Sequence, residues 1–330
     1  MSKKIRVVAS CLALVSALLG GNACAAEKLM LRIADVNADG HIIVQALHYY
    51  ANRVAELSGG TIQVSVYPAG QLGEDNQCYE LMQMGGLDLY RGNASSLGEY
   101  GKIQLSAMAL PYIFRDRDHF WKVVTSDLGK KVLDDIQSSG IGMVGIAYLD
   151  EGMRNFFTTK ASITKLADIK GLKIRVQNAE LMLKTVAALG ANPTPVSYTE
   201  LYSALQTGVV DGAENPPASY FANLFHEPAP NYVLDGHTYS PSVILASEKV
   251  WKALTEEQRK VLLQAGKEVQ EHNRKAIEEA DSKAYDDMRK AGVKITELTD
   301  KDAWISAMAP VYKQFGSDYL DLIKNIQDIK

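Results

Sequence analysis

Between Thr255 and Ala291 nothing in the chain interrupts a helix. Thr255-Glu256-Glu257-Gln258 is a capping box, in which the Thr and Gln side chains satisfy each other's backbone donors. The next clear breaker is Gly292. About 36 residues at 1.5 Å each make a rod of roughly 54 Å. A single domain of this size is only ~30–35 Å across. The rod must therefore bridge two units or protrude from one. Its apolar positions include Val261, Leu262, Val269, Ile277 and Met288, with charge on the other faces, so it lies along a surface.

The rest of the chain says what those units are. Residues 30–34 read as a strand, 41–57 as a helix stopped by Ser58-Gly59-Gly60, and 61–67 as an alternating strand. A helix at 74–84 ends at Gly85-Gly86 and leads into a strand at 87–90. The pattern resumes with a helix at 128–136 and a buried strand at 141–148. An alternating strand follows at 171–177, then a helix at 179–189 closed by Gly190. Ser197 and Glu200 form a second S-x-x-E box opening a helix to Thr207, and Val209–Ala213 reads as a strand. Strand and helix alternate as in α/β architecture. No low-complexity linker separates the halves. The expected fold is a two-domain α/β clam with a hinge, spanned by the long C-terminal helix. Residues 27–151 with 241–280 are expected in one unit, and 152–240 with 281–330 in the other.

The N-terminus carries Lys3, Lys4 and Arg6, an apolar run from Ile5 to about Leu19, and Ala23-Cys24-Ala25, an A-x-A cleavage pattern. These features describe a secretory signal peptide over residues 1–26. Removing its three cations takes the net charge from −4 to −7, because the segment holds no acid. Of the three cysteines, Cys11 and Cys24 lie in this segment, leaving Cys78 with no partner for an internal disulfide. Neither signal cysteine sits in a good lipid-anchoring pattern. No later run is long and apolar enough to span a membrane.

Several chemistries are excluded by spacing. Gly140-Ile141-Gly142-Met143-Val144-Gly145 spells G-x-G-x-x-G, but it enters a strand instead of opening a helix, so it is no dinucleotide fingerprint. The six histidines show no metal-ligand spacing, and no nucleophile motif, P-loop or basic stripe is present. No cofactor, metal or nucleic acid is expected.

Arginine and amide positions are more informative. Arg175 lies on the polar face of its strand beside Gln177, and Arg154 follows a strand and the turn Asp150-Glu151-Gly152-Met153. Guanidinium groups at strand ends suit carboxylate capture through two parallel hydrogen bonds; surface ion pairs are the plain alternative. Asn215 stands after the 209–213 strand and before Pro216-Pro217, which suits a ligand donor or a turn. Arg91 and Asn93 follow the 87–90 strand, and Arg91 there needs a ligand or a buried ion pair. His41 and Glu74 stand at helix starts, where Glu is favoured by the dipole alone.

Three blocks carry a family resemblance: Ala167-Asp168-Ile169-Lys170-Gly171-Leu172-Lys173-Ile174-Arg175-Val176, Leu189-Gly190-Ala191-Asn192-Pro193-Thr194-Pro195, and Leu205-Gln206-Thr207-Gly208-Val209-Val210-Asp211-Gly212-Ala213-Glu214-Asn215-Pro216. Their order and spacing resemble the solute-binding proteins of TRAP (tripartite ATP-independent periplasmic) transporters. Tyr67–Gly73 and Ala109–Tyr112 fit as well. The resemblance spans essentially the whole mature chain. It implies a monomeric periplasmic receptor that closes on an organic acid and delivers it to membrane permease subunits. It also implies that Arg175 forms the two-pronged salt bridge to the ligand carboxylate, assisted by Arg154 and Asn215. Sialic-acid receptors carry an acid and an Arg where this chain has Asn93 and Ser96. Arg91-Gly92-Asn93-Ala94 with Tyr112–Asp116 instead looks like the branch binding hexuronates, although a larger residue is expected at Gly92.

The resulting expectation is a receptor for D-glucuronate or D-galacturonate, read by Arg91, Asn93, Glu74, His41 and Gln177 around the Arg175 anchor. A receptor for a C4-dicarboxylate, 2-keto acid or diketogulonate is the alternative within the class. Outside it stand an exported sugar-acid enzyme, using Glu74, His41 or Glu151, and a scaffold module.

Overall fold

The computed structural model describes residues 28–330, so the signal-peptide reading of residues 1–26, with Cys11 and Cys24, lies outside them. Eleven strands are present among these residues: β1 Leu29–Ala34, β2 Ile62–Tyr67, β3 Leu89–Asn93, β4 Met143–Leu149, β5 Asn155–Thr158, β6 Lys173–Val176, β7 Asn192–Pro195, β8 Gly212–Asn215, β9 Asn231–Leu234, β10 Ser242–Ser247 and β11 Lys294–Glu297. They form two mixed sheets, ordered β2-β1-β3-β10-β4 and β11-β9-β5-β8-β6-β7. The chain crosses between sheets after β4, after β9 and along the long helix Glu256–Lys290.

That helix forms as its ends dictate. Gln258 N donates to Thr255 Oγ1 at 3.2 Å, and Thr255 N donates to Gln258 Oε1 at 2.8 Å. Its buried stripe changes partners along its length. Leu262, Ala265 and Val269 join Ile43, Leu47 and Val54 of helix Ile42–Leu57 over the first sheet. Met288 packs with Phe157, Tyr220 and Tyr232 on the second. One apolar face thus ties both lobes, and burying it supplies the helix's stability.

Other expectations shift for local reasons. The Ser197 box does not form: residues Tyr198–Glu200 are a 3₁₀ turn before a helix at Leu201–Gln206. The groups that would start that helix bond elsewhere, with Tyr198 N reaching Glu74 Oε2 at 3.4 Å and Thr199 Oγ1 reaching Glu74 Oε1 at 2.5 Å. The strand expected at 209–213 begins at Gly212, which puts Asn215 inside it. Asp211 is occupied instead as a clasp, its carboxylate accepting from Lys173 N at 2.8 Å. The chain beyond 301, expected with the second unit, touches both: Trp304 packs on Phe156, while His119 Nε2 bonds Ile326 O at 2.8 Å and Tyr312 OH donates to Pro111 O at 2.9 Å.

Candidate functional site

The C-terminal ends of the parallel strands β1, β3, β6, β7 and β8 face one another across a cavity of about 500 Å³. Val36 and Asn37 come from the segment after β1, and Glu74–Gln77 from the start of helix Asp75–Met84. Arg91 and Asn93 belong to β3. Arg175, Gln177 and Asn178 come from the end of β6, Pro195–Tyr198 from the end of β7, and Asn215 closes β8. Glu151 and Arg154 line it from the crossing between the sheets. The turn there depends on Gly152, whose φ is +97° and where a Cβ would stand 2.7 Å from Asp281 Oδ2.

Three buried arginines share this cavity, and they differ. Arg91 Nε donates to Asp35 Oδ2 at 2.5 Å and Nη1 to Glu151 Oε1 at 2.8 Å. Burial alone would lower its guanidinium, but Asp35 and Glu151 reverse this and hold it above its ordinary value. Arg154 makes a fork to Glu214, Nε to Oε2 at 2.5 Å and Nη2 to Oε1 at 2.8 Å. Burial pushes the Glu214 carboxyl up, yet Arg154 and His237 outweigh it and hold it at about 2. His237 donates to Asp235 Oδ2 at 2.7 Å and Glu214 Oε2 at 3.3 Å, and these carboxylates override burial to raise it to about 9.

Arg175 has no such partner. It is 3% exposed, donates only Nε to Val196 O at 2.8 Å, and forms no ion pair among the described residues. Burial lowers its pKa, and its guanidinium carbon lies 5.5 Å from the Tyr198 ring centre. On the same wall, the Asn215 side-chain nitrogen is buried with no hydrogen-bond partner. A buried cation and a buried donor, both unmet, cost free energy until an acceptor arrives. A carboxylate meets both.

Seven of the eight residues singled out from sequence line the cavity: Arg175, Arg154, Asn215, Arg91, Asn93, Glu74 and Gln177. His41 does not. Its Nδ1 caps Ile43 N at 3.2 Å and its Nε2 bonds Ser219 Oγ at 2.8 Å, while burial lowers it to about 4. Asn93 Oδ1 is already engaged by Ser95 N, Ser95 Oγ and Ser240 Oγ, and Gln177 Nε2 donates to Ser95 Oγ. Gly92 faces away from the cavity. A Cβ there would meet Tyr79 OH at 2.6 Å and Leu245 Cδ1 at 2.9 Å, so core packing excludes a larger residue. Sequence reasoning missed Asp35, Glu214, Tyr198 and His237. Glu214 had a signal, standing beside Asn215 before two prolines; Asp35 had none.

A cleft between two α/β lobes with an unpaired buried guanidinium defines a solute receptor for an organic anion. The DctP model, bacterial extracellular solute-binding protein family 7, matches residues 33–318, and the chain belongs to this family of TRAP solute-binding proteins. A solute-binding protein of Chromohalobacter salexigens is 30% identical over 288 residues, 87% of this chain and 84% of its own. A TRAP periplasmic solute-binding protein from Bradyrhizobium sp. BTAi1, solved with D-galacturonate, superposes with a TM-score of 0.86 at 37% identity, covering 90% of this chain and 99% of that one. Its counterpart from Pseudomonas putida F1, solved with D-glucuronate, gives a TM-score of 0.88 at 30% identity, covering 92% and 98%.

Proposed function

We propose that this protein is a periplasmic receptor that captures a hexuronate, D-glucuronate or D-galacturonate, and hands it to the membrane permease subunits of a TRAP transporter. The observation that carries the reading is Arg175, a buried guanidinium without an anion, beside the unmet amide of Asn215. The hexuronates bound by the Bradyrhizobium and Pseudomonas proteins support it. Among the described residues no helix is long and apolar enough to cross a membrane.

Charge favours a monoacid over a C4-dicarboxylate. The cavity's cations are Arg91, Arg154 and Arg175, and the first two are already matched by carboxylates. Its acidic lining, Glu74, Asp75 and the Oε2 edge of Glu151, disfavours a second carboxylate and accepts from hydroxyls. Asn37, Asn76, Ser197 and Tyr198 add hydroxyl-matching groups. Holding the ligand without transforming it is supported by where the acid–base candidates stand: Glu151 Oε1 accepts from Arg91, Glu74 is tied to Thr199, and His41 lies outside the cavity. Contacts across the cleft, Glu74 to Thr199 and His41 to Ser219, describe lobes closed on the site, which strengthens the ionic contact by excluding water.

A thermal-shift panel of hexuronates, aldonates, diketogulonate, C4-dicarboxylates, 2-keto acids and sialic acid tests this. Hexuronates are expected to give the largest shift and to outrank succinate by at least about 100-fold in affinity, or ~2.7 kcal/mol. A C4-dicarboxylate or 2-keto acid leading the panel with uronates silent would overturn the uronate reading, and turnover seen by mass spectrometry would overturn the receptor reading.

A further inference from the structure

Glu151 presents its two carboxylate oxygens to different surroundings. Oε1 accepts from Arg91 Nη1 at 2.8 Å and from Ser242 Oγ. Oε2 accepts no hydrogen bond from any described residue. The nearest cation to it is Arg154 Nη1 at 3.8 Å, beyond hydrogen-bond reach. Arg154 cannot swing closer without giving up its fork to Glu214, which holds both Nε and Nη2. The side chain is nonetheless buried, with Glu151 7% exposed, and it lines the cavity.

We infer that Glu151 Oε2 reads a hydroxyl of the bound sugar acid, making Glu151 a specificity-determining residue of this site. The inference rests on the sugar-acid reading above. The carboxylate is taken by donors, Arg175 and Asn215, whereas Glu151 offers only an acceptor. An acceptor selects a ligand O–H and repels a carboxylate; it finds no O–H donor at a keto or deoxy carbon. Burial would raise the Glu151 carboxyl, but Arg91 and Arg154 hold it below its ordinary range, so it stays an anion and its hydrogen bond is charge-assisted. Asp75, also in the cavity, differs in that burial raises its carboxyl. The hydroxyl readers expected from sequence are less available, since Asn93 Oδ1 and Gln177 Nε2 bond within the protein.

The test is a cycle between protein and ligand. Wild type and Glu151→Gln are titrated by calorimetry with D-glucuronate, D-galacturonate and each monodeoxy derivative of the tighter binder. One derivative is expected to bind wild type about 10- to 100-fold more weakly than its parent, the range for a hydrogen bond to a charged group. Glu151→Gln should bind that derivative and the parent within about threefold of each other. Glu151→Asp, which keeps the charge for Arg91 but withdraws the oxygen, should lose parent affinity while melting near wild type. Equal weakening of the parent and every derivative in Glu151→Gln would overturn the inference and leave Glu151 a strut for Arg91. Should neither hexuronate bind, the uronate reading fails first. The cycle is then run with the hydroxy acid that leads the panel, and a flat result there overturns the role of Glu151 separately.

Discussion

The two walls of the cleft treat buried charge in opposite ways. On the first-sheet wall the buried cation has its partners within the chain. Asp35 and Glu151 Oε1 pair Arg91, which leaves only the Oε2 edge of Glu151 toward the cavity, and Asn93 is held by Ser95 and Ser240. On the second-sheet wall, Glu214 is matched by Arg154 and His237, but Arg175 and the Asn215 amide stand open beside them. The paired Arg91 gives a shaped surface and needs no ligand anion. On the proposed reading the open pair supplies the affinity, because its desolvation cost is offset only when an anion binds. A residue type therefore does not reveal its role here: Arg91 and Arg175 are both buried arginines lining one cavity, and their partners separate them.

The sharpest way to break this comparison is to truncate an arginine on each wall. Arg91→Met leaves Asp35 and Glu151 as uncompensated buried carboxylates, and should cost about 3–5 kcal/mol of stability in a urea melt. A loss under about 1 kcal/mol would mean Arg91 is not paired as described.

Arg175→Ala should do the reverse. Hexuronate affinity should fall by about 2–5 kcal/mol, roughly 30- to several-thousand-fold, with Arg175→Lys failing too because a point charge makes no fork. The ligand-free variant should melt no lower than wild type, since an unpaired buried cation has been removed. Calorimetry within threefold of wild type would sink the anchor assignment.

Protonation sharpens the contrast more gently. His237 is raised from 6.5 to about 9 in the fold. Its contribution is fully present below pH 6.5 and is lost as pH rises through 9. Between pH 7 and pH 9 the protein should lose about 2 kcal/mol of stability, and His237→Gln should flatten that limb. His41 acts with the opposite sign. Lowered to about 4, it contributes above pH 6.5 and loses its contribution as pH falls toward 4. A stability profile without an alkaline limb in wild type would show that His237 is not held as a cation by Asp235 and Glu214.

Much of the architecture was legible because it is written in local periods. The capping box at Thr255, the unbroken run to Ala291 and the strand–helix alternation upstream depend on residues a few positions apart. They produced a 35-residue helix and two sheets. Strands without a periodic signal escaped. β10 is buried on both faces throughout, so nothing alternates, and β7 is four residues with prolines at 193 and 195. The site was legible as residue types: Arg175, Arg154 and Asn215 stand in blocks whose order carries the resemblance, and all three line the cavity.

What no local pattern holds is who meets whom. Arg91 finds Asp35 at a separation of 56 residues and Glu151 at 60, whereas Arg175 finds no carboxylate at all. His41 stands at a helix start like Glu74, but its ring turns to Ser219, 178 residues away, and leaves the cavity. From sequence alone both arginines carry the same charge and the same fork. Only the packing of the two sheets across the crossing at Glu151 brings carboxylates to one and withholds them from the other. Burial then turns that difference in neighbours into the proposed difference in role, because a paired cation in low dielectric is satisfied within the fold and an unpaired one is stabilised by an arriving anion.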